Sequence, residues 1–238
     1  MSDSNSSGLR ITRFRLLTSH LLNTALDFVF PPRCIACGRP GSLFCTPCQA
    51  AITPPAPLRA AGSPLAEQRA TADFDGPIRQ AIHALKYRGQ RRFALPLATR
   101  LQSTLECAGW QPGLLTAAPL SESRRRERGY NQAALLAAEL SRRVGIPFRP
   151  DALRKVRDTR PQVGLNAGER RANVAGAFCA EPDLVSGVPV LIIDDVFTTG
   201  ATLRECAAAL LAAGATTVWG LTVASARLGA DDTTSARS

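Results

Sequence analysis

The sequence predicts an α/β protein: an open, mostly parallel sheet flanked by helices, preceded by a small module with four cysteines. Strands are predicted at 114–120, 188–194 and 216–224, and the run at 188–194 lacks the alternation of a half-exposed strand, as is typical of buried parallel strands. Helix-like segments separate these strands, which is the order of βαβ units. Two CxxC pairs stand apart near the start of the chain, and its 238 residues suffice for one sizeable domain plus a small module.

The first segment, 14–52, is predicted to hold an N-terminal helix followed by the cysteine module. Leu17, Leu21 and their apolar neighbours recur at helical spacing, while His20 and Asp27 interrupt the apolar run. This interruption argues against a signal peptide. No run in the sequence is apolar enough for a membrane span, and we therefore expect a cytoplasmic protein.

The rest of the chain divides by composition. Residues 53–69 are rich in Pro and Ala and are interpreted as a linker, and residues 70–228 form the main domain. The ends, 1–8 and 231–238, are polar and are predicted to be disordered.

The cysteine pairs are Cys34 with Cys37 and Cys45 with Cys48. A CxxC turn places two sulfurs on one side, and two such turns complete a tetrahedral four-thiolate site, so we expect a structural zinc ion. The alternative is a pair of redox motifs, but these normally open a helix in a thioredoxin-like setting, which is absent here.

The main domain is predicted to alternate helices and strands. Asp75 is a suitable cap for its first helix, Pro77 suits the first turn, and Gly89 follows the end. The predicted order is a helix over 75–89, a helix over 95–108, a strand over 114–120, a helix over 131–145, a polar segment over 154–178, a strand over 188–194, a helix over 202–214 and a strand over 216–224.

The stretch VLIIDDVFTTGAT carries the clearest chemical signal. Its apolar strand delivers Asp194 and Asp195 to the carboxyl edge of the sheet, where ligands bind in open α/β folds. A Gly/Thr-rich turn into a helix binds phosphate through free amides and hydroxyls. Carboxylates beside a phosphate need a hydrogen-bond donor such as a ribose hydroxyl, so we expect a ribose 5-phosphate ligand. The predicted phosphate-binding residues are Thr198, Thr199, Gly200, Ala201 and Thr202.

This stretch resembles the 5-phosphoribosyl 1-pyrophosphate (PRPP) motif of type I phosphoribosyltransferases. Together with the cysteine pairs, HALKYRG, PLSESRRRERGYNQA and TRPQVGLNAGERRANVAGAF, it occurs in the order seen in the ComF/GntX-like family, over residues 14–225. The resemblance implies the type I phosphoribosyltransferase fold with an N-terminal zinc-binding module, PRPP as ligand and Mg²⁺ as cofactor. It also implies a link to competence, the uptake and processing of transforming DNA.

The resemblance also suggests further ligand contacts. The arginine-rich segment after the first core strand is interpreted as a pyrophosphate-binding loop, with Arg128 and Asn131 as the preferred residues because they stand at the turn into the next helix. Lys86 either reaches ligand phosphates or interacts with the dipole of its own helix. Residues 157–175 are either a lid over the site or a surface excursion.

Two functions remain open from the sequence. An enzyme would transfer ribose 5-phosphate to an unknown nitrogen acceptor, with Asp194 and Asp195 as catalytic residues and Mg²⁺ bridging pyrophosphate and ribose. A non-catalytic accessory or PRPP sensor would instead associate with single-stranded DNA or competence proteins. The net charge of +10 suits polyanionic partners of either kind, but solvated arginine-rich faces explain it equally well.

Overall fold

The computed structural model describes residues 31–57, 63–157 and 176–226. The predicted N-terminal helix, both tails, and nearly all of the predicted lid lie outside these ranges. The chain forms two compact units that meet in sequence between Cys48 and Gln49. None of the helices in the described ranges is long and apolar enough to cross a membrane.

The first unit holds the cysteine pairs on tight turns. The amide of Gly38 donates to the carbonyl of Cys34 at 2.8 Å, and Gly38 has a φ of +72°, a conformation that favours glycine. The second pair stands at helix α1, Thr46–Ala50. Two turns of this kind bring the four thiols together.

The second unit is built on a four-stranded parallel sheet in the order β1-β6-β5-β2. Both faces of its central strands are buried, which explains their unbroken apolar runs: Leu191 and Ile192 point to opposite faces, and both are fully buried. The strands are β1 Glu67–Ala70, β2 Leu114–Ala117, β5 Pro189–Phe197 and β6 Thr217–Ser225. The predicted fold class, an open parallel sheet behind a four-cysteine module, is confirmed.

The predicted helices of the second unit lie close to their predicted bounds. Asp75 caps its helix by accepting a hydrogen bond from the Gly76 amide at 2.7 Å, as predicted. The helices are α2 Gly76–Tyr87, α3 Ala94–Ala108, α4 Glu122–Arg128, α5 Gln132–Val144, α6 Pro182–Val185 and α7 Ala201–Ala212, with a 3-10 turn at Arg91–Phe93.

Two strand features differ from the prediction. Strand β1 begins inside the segment interpreted as a linker, because its residues pair through the backbone with β6 although Glu67 and Gln68 are polar. A two-stranded antiparallel hairpin, β3 Leu153–Lys155 and β4 Phe178–Ala180, flanks the polar segment that was predicted without strands.

The arginine-rich segment is a helix, α4, and the prediction of a loop there is wrong. The Ser121 hydroxyl caps it by accepting from the Arg124 amide, and an ion pair of 2.6 Å joins Glu122 to Arg126 one turn apart. The helix ends at Gly129, which has a φ of +73°.

Candidate functional site

A cavity of about 320 Å³ opens at the carboxyl ends of β2 and β5. This is the edge where open parallel sheets bind ligands. Its wall combines the acidic residues, the Gly/Thr-rich turn, cations from α2 and α4, and the base of the β3–β4 hairpin. The polar lining residues are Lys86, Ser121, Ser123, Arg124, Arg128, Gln132, Lys155, Asp194, Asp195, Thr198, Thr199 and Thr202.

The acid pair lies at the end of β5. The Lys86 ammonium lies 2.8 Å from Oδ1 of Asp195, and the Asp195 side chain is only 6% exposed. Oδ1 of Asp194 accepts a hydrogen bond from the Asp195 amide at 2.8 Å. Lys86 therefore supplies a direct counter-charge to the acid pair, a contact that neither sequence interpretation of Lys86 included.

The two carboxyl groups are in different electrostatic environments. Burial raises the pKa of Asp194 to about 7, helped by the negative charge of Asp195, while the Asp195 amide and Lys86 act in the opposite direction. At neutral pH, Asp194 is therefore able to take up or release a proton, while the Asp195 carboxylate is paired with a lysine.

The turn that follows β5 has a backbone suited to an anion. Gly200 has a φ of +72°, which favours glycine, and a Cβ there would lie 2.3 Å from Cε2 of Phe197, so a larger residue would also have to displace the Phe197 ring. The Arg204 guanidinium holds the turn by donating to the Thr199 carbonyl at 3.2 Å. Helix α7 then begins at Ala201 without a side-chain cap from any described residue. Its first amides are available to a phosphate.

On the opposite wall, Arg128 is held in place by Tyr87. Its guanidinium carbon lies 5.0 Å from the ring centroid, and one terminal nitrogen lies 3.4 Å from the tyrosine hydroxyl. Arg124 lines the same cavity, whereas Arg125 and Arg126 line a neighbouring cavity of about 890 Å³. The helical form of α4 thus divides the arginines between two surfaces.

Asn131 does not line the first cavity. Its Oδ1 accepts from the amides of Ala133 and Ala134 at the start of α5, and its Nδ2 donates to the Ala118 carbonyl at 3.0 Å. The adjacent Gln132, which the sequence analysis did not select, faces the cavity instead. In the sequence, only its position in the first turn of a helix, directly after the arginine-rich segment, indicates that it could face a ligand.

Three polar atoms in this cavity are buried without a hydrogen-bond partner among the described residues: Nε of Arg128, Oε1 of Gln132 and Oδ2 of Asp195. Across the described ranges, only one further buried side-chain atom is in this state, on Gln68. Leaving such atoms unpaired costs about 1–3 kcal/mol each. Their concentration in one cavity indicates a place for a polar ligand with both donors and acceptors.

The four cysteine sulfurs lie within 4.8 Å of one another, and those of Cys37 and Cys45 are 3.8 Å apart. Sulfurs about 2.3 Å from a tetrahedral zinc ion lie about 3.8 Å from each other, so the cluster fits zinc. Burial raises the pKa of the Cys34 thiol, but hydrogen bonds from the amides of Cys45, Cys37 and Ala36 outweigh it and lower the value to about 6. The first turn thus favours the thiolate form at Cys34, whereas hydrogen bonds with Cys45 and Cys37 raise the pKa of the Cys48 thiol to about 12.

The profile of the double zinc ribbon domain matches residues 25–73. Only one set of four cysteines lies within that range. This match and the sulfur geometry together support a structural zinc site at Cys34, Cys37, Cys45 and Cys48.

The chain is similar to DNA utilization protein YhgH of Salmonella typhimurium, with 32% identity over 190 residues that cover 78% of this chain and 80% of that protein. Competence protein ComFC of Bacillus subtilis is 29% identical over 76% of this chain and 72% of its own. Competence protein F of Haemophilus influenzae is 39% identical over 46% of this chain and 50% of its own. Among solved structures, adenine phosphoribosyltransferase from Thermoanaerobacter pseudethanolicus aligns with a TM-score of 0.39 at 16% identity, covering 63% of this chain and 84% of that one.

Proposed function

The chain belongs to the family of DNA utilization protein YhgH and the competence proteins F and ComFC, and from this premise we propose that its cavity binds PRPP. We further propose that it transfers ribose 5-phosphate from PRPP to a nitrogen nucleophile and releases pyrophosphate. As in the proteins named for competence, the reaction or the bound ligand would serve the handling of DNA.

The observation that carries this proposal is the set of unpaired groups around the acid pair. PRPP offers an anionic group for each donor in the cavity and hydroxyls for each acceptor. Its 5-phosphate fits the amides and hydroxyls of residues 198–202, and its pyrophosphate fits the cationic wall of Arg124 and Arg128. The ribose between them then lies beside Asp194 and Asp195.

The proposed chemistry follows from these positions. The bond between C1 of the sugar and the pyrophosphate oxygen breaks, and a bond from the nucleophile nitrogen to C1 forms. Asp195 contributes negative charge beside the positive charge that develops on the sugar, and Arg128 stabilises the departing pyrophosphate. The proton that the nitrogen loses passes to the departing pyrophosphate, which gains basicity as its bond to C1 breaks.

The acid pair also fits a magnesium ion, because carboxylate oxygens are the ligands it prefers and both acidic residues line the cavity. When bound, the ion would neutralise the pyrophosphate leaving group. Asp194 and Asp195 are the residues that would hold it, directly or through water.

Pyrophosphate release from PRPP, measured against a panel of nucleobases and amines, tests the proposed transfer. We expect release to require one class of nitrogen acceptor and to fall strongly in Arg128→Ala. The same variant should bind PRPP more weakly but ribose 5-phosphate nearly normally, since only PRPP carries the leaving group. An equal loss of affinity for both ligands would place the pyrophosphate elsewhere, and no release with any acceptor would reduce the proposal to PRPP binding.

A second candidate function, association with single-stranded nucleic acid, is favoured by a specific surface. Both tyrosines of the chain lie against arginines: Tyr87 under Arg128, which lines the cavity, and Tyr130, which lines the neighbouring cavity, at 4.4 Å from the Arg91 guanidinium. Tyr87 is 60% exposed, and the ring of His83 lies 5.5 Å from it. Exposed rings beside cations suit stacked bases and their phosphates.

Binding of a fluorescent single-stranded oligonucleotide over a salt series tests this second function. Tyr87→Leu should weaken binding by about 1–3 kcal/mol, the usual contribution of one stacked base, whereas Tyr87→Phe keeps the ring and should bind almost as well as wild type. Equal binding by the two variants would exclude stacking on this residue and leave only general charge attraction.

A further inference from the structure

Gln132 is a buried polar residue whose side-chain oxygen has no hydrogen-bond partner among the described residues. It is the first residue of α5, is only 3% exposed, and lines the cavity with the acid pair. Its Oε1 makes no hydrogen bond with any described residue. A buried amide oxygen that remains unpaired in the working state of a protein is rare.

The helix itself gives no reason for a polar side chain here. The buried face of α5 continues from Gln132 through Leu136 to Leu140 at the spacing of an apolar stripe. An apolar residue of similar length would complete that stripe without the penalty of burying an amide. The glutamine therefore makes sense as a residue that pairs with something that enters the cavity.

The chemistry of the missing partner is restricted by the type of atom. In the amide orientation that buries Oε1, the atom without a partner is an acceptor, so its partner must donate a hydrogen bond. Phosphate and pyrophosphate oxygens above pH 7 are almost entirely acceptors, so neither end of PRPP satisfies it. The pentose hydroxyls are the donors that PRPP carries.

On the basis of the proposed PRPP site, we propose that Gln132 is a specificity-determining residue that accepts a hydrogen bond from one ribose hydroxyl. Asp195, whose Oδ2 is also buried and unpaired among the described residues, accepts from the other. The cavity then distinguishes ribose 5-phosphate from a deoxyribose 5-phosphate, because the deoxy sugar leaves one of these acceptors unpaired.

Calorimetric titration with ribose 5-phosphate, 2-deoxyribose 5-phosphate, 3-deoxyribose 5-phosphate and pyrophosphate tests this role. Wild type should bind ribose 5-phosphate about 5- to 150-fold more tightly than either deoxy sugar, the range that corresponds to one buried acceptor left unpaired. Gln132→Met keeps the length and removes the acceptor. It should lose affinity for ribose 5-phosphate by a similar factor and bind one of the two deoxy sugars as well as ribose 5-phosphate, while its affinity for pyrophosphate stays unchanged.

Gln68→Met is the matched control. Gln68 is equally buried at 5% exposure and also has an unpaired amide atom among the described residues, but it does not line the cavity. It should keep the wild-type preference among the four ligands. Thermal unfolding of both variants verifies that each is folded.

The outcomes separate two failures. If wild type binds no phosphosugar, the proposed function is wrong and the role of Gln132 is wrong with it. If wild type binds ribose 5-phosphate but Gln132→Met keeps its preference over both deoxy sugars, or loses affinity for all four ligands equally, only the role of Gln132 is overturned.

Discussion

Replacing Lys86 with methionine should destabilise the protein because it leaves a buried carboxylate without its counter-charge. Lys86 Nζ and Asp195 Oδ1 are 2.8 Å apart, and the two side chains are only 16% and 6% exposed. At that distance the attraction is about 6 kcal/mol for an effective dielectric constant of about 20. Desolvation offsets part of it, and removing one partner of such a pair typically costs about 3–5 kcal/mol. We therefore expect Lys86→Met to lower the free energy of unfolding by about 3 kcal/mol.

Urea unfolding followed by tryptophan fluorescence measures this loss. Trp110 and Trp219, the two tryptophans of the chain, stack at 5.8 Å in the same unit as the ion pair, so their signal reports on the relevant unit. The double variant Lys86→Met with Asp195→Asn removes both charges and should recover most of the stability. A loss below about 1 kcal/mol in the single variant, or a double variant less stable than the single one, would show that Lys86 does not stabilise the Asp195 carboxylate.

Three further predictions follow from individual sites. Purified protein should carry about one equivalent of zinc, and Cys34→Ser should lose it in elemental analysis while PRPP binding persists. Asp194→Asn should stabilise the protein at pH 8 and not at pH 4. The pKa of Asp194 is raised from its ordinary value of 3.8 to about 7 in the folded protein, so the wild-type protein loses stability as the pH rises through that window. The shift in pKa corresponds to about 4 kcal/mol in the free energy of unfolding, and because Asp194 is partly exposed we expect a gain of about 2 kcal/mol. Thermal unfolding of the variant and of wild type at the two pH values measures it. Gly200→Ala should weaken ribose 5-phosphate binding far more than Gly145→Ala. Both glycines have a φ near +72°, but only at Gly200 would the Cβ meet the Phe197 ring. Equal affinities of the two variants in calorimetry would contradict a phosphate site at this turn.

The sheet and most helices were predictable because they depend on local pattern. Residues 189–193 are apolar without alternation, and the strand is buried on both faces. Asp75 and Gly145 mark helix ends by their own backbone and capping chemistry. In each case, the residues that decide the structure lie within a few positions of the element.

Features that depend on distant partners were missed. Strand β1 contains Glu67 and Gln68, and it is a strand because β6 lies beside it, not because of its own apolar content. The contact between Lys86 and Asp195 joins residues more than a hundred positions apart. Gln132 stands in the first turn of a helix after the arginine-rich segment, but which side of that turn is buried depends on elements distant in the sequence, so the sequence alone favours Asn131.

The sequence indicates the arginine-rich segment as a source of positive charge beside the cavity, but the conformation predicted for that segment is wrong. Four arginines in one run suggested a loop around an anion, yet the cap at Ser121 and the ion pair of Glu122 with Arg126 make this run a helix. A helix directs successive side chains to different sides. For this reason Arg124 and Arg128 face the cavity of the acid pair, and Arg125 and Arg126 do not.

The most direct test of the account is a calorimetric titration of wild-type protein with PRPP, with and without Mg²⁺, beside titrations with ribose 5-phosphate and pyrophosphate alone. We expect PRPP to bind more tightly than either part, because the Gly/Thr-rich turn, the acid pair and the cationic wall line one cavity, and we expect Mg²⁺ to strengthen the binding. Absence of PRPP binding under both conditions, together with tight binding of a single-stranded oligonucleotide, would contradict it and favour a nucleic-acid accessory.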